Sequence, residues 1–423
     1  MVNHNAMRIT LTILISFVLF AKAGAQTNNS PYSIIGIGDI EDSYFNRTSG
    51  LANTGIAYRN NRSLISNNPA SFSALENQFF AGELGIRGKL VNYYGNPINA
   101  NNNSSTDITF KRFALGIKLA KHWGTSVGLV PFSSENYEFN APQPILGTTG
   151  EFTNSYSQGF GGINRVYWTN AYELFHHLSI GINSSYLFGS ISQKTILQNP
   201  NSPSTYISTN RNTFISNLYF DYGLQYYGKI NKKWDFTLGA TFANKTDLNS
   251  ENHITILNVD SVQLKDETIN ESFFTLPKSY GIGLSITKNK KYTLVADYKY
   301  QNWSSLNYSG FNYALQNSDR ISVGFEISKR KNLYNTSIET GYLHAGLYYG
   351  NSYLNVYGEP VRDMGATLGI GVNAKRSYLS YNIILQYGMK GTDTHNLIQE
   401  RYFNFTLILS YRDLWYTKGI KQN

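Results

Sequence analysis

The sequence predicts an all-β fold: a transmembrane antiparallel β-barrel of about fourteen strands, with an N-terminal plug in its lumen. Three observations predict it. Downstream of Phe79, segment after segment alternates apolar and polar residues with period two, the signature of strands half in an apolar and half in a polar medium. These segments run to roughly 11–16 residues, beyond the ~5–6 of strands in globular domains. Finally, the connections alternate between short basic turns and long polar loops, as they do in outer-membrane barrels.

In chain order, residues 1–25 read as a secretory signal. Arg8 gives the positive start, "ITLTILISFVLF" the apolar core, and "AKAGA" the small residues before a cut near Gln26. The core is too short for a comfortable span, and no later stretch approaches the ~18 apolar residues of a transmembrane helix. The chain has no cysteine, which excludes a disulfide scaffold. Of the formal charge of +9, Arg8 and Lys22 leave with the signal. The remaining basic residues form no single patch of the kind that binds nucleic acid.

Residues 26–77 have a different texture. Small residues, glycine and asparagine dominate and no strand-length alternation occurs. A disordered leader is poor in apolar residues, yet this one keeps Ile34, Ile35, Ile37, Leu51, Ile56, Leu64, Ile65, Phe72 and Leu75. They need burial, and the lumen of the barrel is the place for it.

The barrel itself spans 78–413, with strands expected to start near residues 78, 106, 123, 152, 177, 212, 234, 278, 291, 318, 334, 364, 378 and 397. In "RYFNFTLILSY", Phe403, Phe405, Leu407, Leu409 and Tyr411 share the lipid face, against Asn404, Thr406 and Ser410. In "KYTLVADYKYQ", Leu294, Ala296 and Tyr298 oppose Thr293, Asp297 and Lys299. Together with Arg320 and Glu326, these give the inner wall a polar character. Tyrosine recurs near strand ends, where amphipathic rings anchor at a bilayer interface. The stretch from Ser250 to Thr275 is ambiguous and has room for two further strands. The short turns "AKHW", "GKINKKW", "TKNKKY", "SKRKN" and "NAKRS" carry Lys and Arg residues on the periplasmic side and read first as solvated hairpin turns, with contact to anionic lipid phosphates or a periplasmic protein partner as the alternative. Residues 414–423 form a short basic tail.

Within "TSVGLVPFSSENYEF" lies Pro131, which has no N–H to give to a ladder. In a closed sheet a proline must lie beyond the hydrocarbon zone or force a break that something else covers, because an unsatisfied backbone group facing lipid costs several kcal/mol. The next strand holds "GFGG", with Gly159, Gly161 and Gly162 permitting bending and close approach beside it.

"GLANTGIAYRNNRSLISNNPASFSAL" resembles the N-terminal hatch of the FadL-type family of outer-membrane channels for long-chain fatty acids and other hydrophobic compounds, in which an Asn-Pro-Ala motif follows a glycine-rich lead. Asn68, Pro69 and Ala70 match that motif. "GLVPFSSENY" and "GFGGINRVYW" are similar to the third and fourth strands of a FadL-like branch. The resemblance implies localisation in the outer membrane of a Gram-negative bacterium. It implies passive uptake of a hydrophobic small molecule, with the hatch around Asn68–Ala70 as gate and a lateral exit into membrane lipids at a kink around Pro131. FadL-like barrels also serve as subunits of larger outer-membrane assemblies. That implies the alternative role, a non-transporting scaffold with outer-membrane or periplasmic protein partners.

No catalytic or cofactor-binding motif occurs. His176 and His177 lack the acidic or cysteine neighbours of a metal site, so neither an enzyme nor a metal or cofactor protein is expected.

Overall fold

The computed structural model describes residues 30–95, 98, 103–144, 152–199, 202–310, 312–333, 336–374, 378–394 and 397–414. The signal at 1–25 and the tail beyond Leu414 lie outside them, as do Lys375 and Arg376 of the last basic turn.

Fourteen antiparallel strands form the wall. They are β1 (Phe79–Gly95), β2 (Ser104–Ala120), β3 (Trp123–Pro144), β4 (Phe152–Phe175), β5 (Leu178–Asn199), β6 (Ser202–Asn231) and β7 (Trp234–Ala243). Then follow β8 (Ser279–Lys288), β9 (Tyr292–Gln301), β10 (Ser318–Leu333), β11 (Thr336–Val356), β12 (Glu359–Asn373), β13 (Leu379–Lys390) and β14 (Ile398–Leu414). β14 pairs with β1 from Ile398↔Gly95 to Leu414↔Phe79, which closes the sheet. Closure removes the edge that an open sheet would expose.

The ambiguous stretch resolves into a hairpin, Thr246–Asn258 with Gln263–Leu276. It adds no strand to the wall, because β7 pairs directly with β8, from Ala243↔Ser279 to Trp234↔Lys288. Instead its first strand pairs with the upper half of β6, from Ile207↔Asn258 to Ile215↔Ser250. This outer extension explains why β6 runs to 30 residues while β7, β8 and β9 have 10 each.

The alternation sorts the side chains as the sequence predicts. Leu294, Tyr298, Phe403, Phe405 and Tyr411 point outward and are exposed, while Thr293, Asp297, Asn404, Thr406 and Ser410 point inward and are buried. Exposed Trp123, Phe175 and Tyr378 lie at the short-turn ends of their strands, the position of an interfacial aromatic girdle. An apolar outer belt over a polar bore is stable only with hydrocarbon outside. Among the described residues no helix is long and apolar enough to cross a membrane; the strands make the crossing.

Candidate functional site: the lumen and the break at β3

Residues Ser30–Asn77 lie in the bore, and their apolar side chains are the ones that need cover: Ile37, Leu51, Ile56, Leu64, Ile65 and Phe72 are all buried. Three short 3-10 helices, Pro31–Ile34, Arg47–Leu51 and Pro69–Ala74, give the segment its shape.

Asn68, Pro69 and Ala70 sit at the start of the third. Asn68 caps it, its Oδ1 accepting from Ala70 N at 3.0 Å, while Pro69 opens the first turn, where a missing N–H does no harm. The Asn68 amide also donates to the carbonyls of Ile56 (2.8 Å), Leu224 on β6 (3.1 Å) and Ala240 on β7 (3.2 Å). Wall glycines make room for this approach. A Cβ at Gly181 would overlap the Pro69–Ala70 backbone, and one at Gly223 would overlap Asn68 Oδ1. The motif is therefore a clamp between the luminal segment and the wall.

A buried ion cluster fixes the second helix. Arg47 pairs with Glu326 on β10 at 2.9 Å and with Glu339 on β11 at 2.7 Å. Glu326 also accepts from Tyr58 (2.6 Å) and meets His344 Nε2 at 2.7 Å, and the Arg47 guanidinium lies 3.6 Å above the Tyr342 ring. Burial alone would lower the Arg47 pKa, but the two carboxylates outweigh it and hold the guanidinium firmly charged. Elsewhere, Asp297 on β9 accepts from Gly55 N (2.6 Å) and Ile56 N (2.9 Å). Arg112 on β2 pairs with Glu83 (3.1 Å) and donates to the Leu64 carbonyl (3.0 Å). The sequence marks Glu326 and Asp297 as inward-facing, but it gives no sign that Arg47 is the partner of Glu326 across 279 residues of chain.

Above this floor lies a chamber of about 320 Å³. Arg87 and Lys111 meet Glu41 at 3.0 and 3.6 Å, Arg320 meets Asp42 at 3.0 Å, Arg165 meets Asp221 at 3.1 Å, and Lys390 pairs with Asp39. Burial tends to raise the Asp39 and Glu41 carboxyls. The Lys390 ammonium beside Asp39, and Arg87 and Lys111 beside Glu41, prevail and hold both below the usual carboxylate range. The chamber's roof is apolar: Tyr32, Ile35 and Ile37 pack with Ile191, Ile215 and Phe274, and Trp303 stacks on Tyr353 at 4.6 Å. The chamber is therefore apolar only at its roof. Its strand positions carry ionic side chains, with Arg87, Arg320 and Lys390 paired to the luminal segment and Arg165 to Asp221 on the wall.

Pro131 marks a change of partner. Below it β3 pairs with β2, from Ala120↔Trp123 up to Phe113↔Leu129, and above Leu129 that ladder ends. β3 continues along β4, with a shift between Pro131 and Ser133 that leaves Phe132 as an extra residue. On the other side of the break, a shift between Gly85 and Ile86 leaves Lys111 of β2 without an opposite number on β1. Luminal residues take the vacated edge: Asp39 and Ile40 pair with Ser134 and Ser133, and Glu41 N donates to the Phe132 carbonyl at 2.9 Å. Gly161 and Gly162 lie opposite Glu135 and Ser134 with φ of +118° and +149°, and a Cβ on Gly162 would overlap the Ser133 carbonyl. Gly159 faces Tyr137, and a Cβ there would strike the Tyr137 ring. The structure thus brings Pro131, Gly161 and Gly162 to one break in the wall. Asn68–Ala70 sit apart from it, at the foot of β5–β7.

The fold is shared with solved channels. The chain matches a CymD monoaromatic hydrocarbon channel at TM-score 0.58 and 14% identity, covering 90% of this chain and 98% of that one. The toluene transporter TbuX of Ralstonia pickettii matches at TM-score 0.58 and 15% identity, covering 86% and 97%. A FadL homologue of Pseudomonas aeruginosa matches at TM-score 0.59 and 12% identity, covering 90% and 100%. No curated protein matches in sequence. At these identities the likeness is one of fold, a FadL-type barrel. The sequence itself matches the BamG family over residues 5–422, nearly its whole length, and the chain belongs to that family.

Proposed function

We propose that this chain is a FadL-type barrel, its lumen occupied by an anchored N-terminal segment, that serves as a non-transporting subunit of a larger outer-membrane assembly. The observation that carries this reading is the ionic chamber. A hydrocarbon gains about 0.8 kcal/mol per methylene only where it meets apolar surface. Here it would instead strip water from ions, at several kcal/mol for each. The floor supports the same reading, because a gate would have to break the Arg47 cluster and the Asn68 clamp together.

A second reading is favoured by the break above Leu129: passive uptake of a hydrophobic compound such as a long-chain fatty acid, with the luminal segment as gate and exit at Pro131. Toluene and monoaromatic hydrocarbon channels share the fold. One strain separates the two. The protein, gently solubilised from its own membranes, is expected to co-isolate at fixed stoichiometry with other outer-membrane proteins, and deleting it is expected to leave labelled oleate and toluene uptake unchanged. A lone, monodisperse barrel whose deletion abolishes uptake would reverse the assignment.

A further inference from the structure

The wall's basic turns are unevenly distributed. Lys229, Lys232 and Lys233 join β6 to β7; Lys288, Lys290 and Lys291 join β8 to β9; Lys329, Arg330 and Lys331 close β10. These are three successive periplasmic turns on one arc of the rim, and all nine cations are exposed. None of the nine has a carboxylate within ion-pair distance among the described residues. Asp235 stands opposite Lys229 in the ladder.

Behind this arc the bore opens into a vestibule of about 810 Å³. Its back wall is the luminal segment at Tyr58–Asn61, and Lys229, Lys290 and Arg330 stand at its mouth. Its sides carry hydroxyls from Thr237, Ser285, Thr287 and Thr293, the last two hydrogen-bonded to each other at 3.0 Å, and from Ser328, which donates to Glu326 (2.9 Å) and Glu339 (3.1 Å). Three acids also reach it: Glu326 and Glu339, both taken up by Arg47, and Asp235, opposite Lys229. Arg59, held over the Tyr227 ring at 3.8 Å, adds a further cation; burial brings it down only to about 10, so it stays charged at neutral pH.

We infer that this vestibule is a docking site for a short, extended, acidic segment of a periplasmic partner protein. The cations supply charge complementarity, and the hydroxyls of Thr237 and Ser285 can meet the backbone and carboxylate groups of an inserted strand. Lipid phosphates fit the outer rim but not this space, because the vestibule lies inside the wall, which separates it from the bilayer. The inference deepens the subunit reading and rests on it for the identity of the assembly, but not for the binding chemistry.

The test uses the full chain in nanodiscs of zwitterionic lipid with fluorescein-labelled hexaglutamate as probe. Binding that weakens with salt and exceeds that of hexaserine is expected. The triple variant Lys229→Glu, Lys290→Glu, Arg330→Glu is expected to weaken it by about tenfold or more. Thr287→Trp, which fills the space without changing charge, is expected to weaken it too. Lys121→Glu, on another part of the rim, should leave it unchanged. Heat-modifiable migration on gels shows that each variant is folded. Equal loss with Lys121→Glu, or indifference to Thr287→Trp, would overturn the proposal in favour of general rim electrostatics. Flotation with phosphatidylglycerol vesicles without peptide binding would overturn it in favour of a lipid site. If peptide binds but the native protein isolates alone, the subunit reading fails and the site stands; co-isolation without peptide binding is the reverse.

Discussion

Arg47 carries more of this architecture than any residue the sequence singles out. It is buried between Glu326, itself buried, and Glu339, which is partly exposed, so deleting its charge leaves both carboxylates without their cation, and Glu326 without it in a low-dielectric bore. Breaking a buried pair in this way costs about 3–5 kcal/mol. Arg47→Met is therefore expected to lower the urea midpoint of the purified protein and to expose the Arg47–Leu51 turn to protease while the barrel stays closed. Replacing Arg47, Glu326 and Glu339 together with apolar residues of similar volume is expected to recover most of the loss. If Arg47→Met alone left protease resistance unchanged, the luminal segment would not be held by this cluster.

At the scale of elements, the informative pair is the 3-10 helix Pro69–Ala74 and the strands it rests on. Asn68 uses its oxygen for the cap and its amide for three carbonyls. Asn68→Ala removes both roles and is expected to cost about 1–2 kcal/mol or somewhat more, the usual loss for a cap. Asn68→Asp keeps the cap acceptor, yet turns a carboxylate toward three carbonyl oxygens. It is expected to destabilise at least as much as alanine, measured by the same unfolding midpoint. An aspartate variant as stable as the parent would mean the cap alone matters. The break at β3 belongs to this scale as well. Pro131 ends the β2 ladder, the glycine pair lets β4 follow, and Asp39–Ile40 supply the pairing that β2 no longer gives.

For the whole molecule, closure depends on register. β7 and β8 pair along their full length, so the hairpin at 246–276 is an addition to a wall already complete without it. Replacing residues 245–277 with a two-residue turn is expected to leave a heat-modifiable barrel, with the loss confined to the roof where Leu248, Phe274 and Leu276 pack. Failure of that variant to assemble would place the hairpin in the wall after all.

The sequence by itself determined the membrane barrel, its even strand number, the placing of short basic turns and the oddity at Pro131. Each of these is a local pattern: a two-residue period, a turn composition, a missing N–H. Only the tertiary structure decided that the 246–276 stretch extends outward, that Asn68 clamps onto β6 and β7, and that Arg47 meets Glu326 and Glu339. It alone also gathered three basic turns around one vestibule. Those facts depend on which strand neighbours which across hundreds of residues, and on the curvature that brings inward faces together. Alternation fixes the face on which a side chain lies. What stands opposite that side chain across the lumen is set by barrel closure and by the path of the luminal segment, which has no period to read.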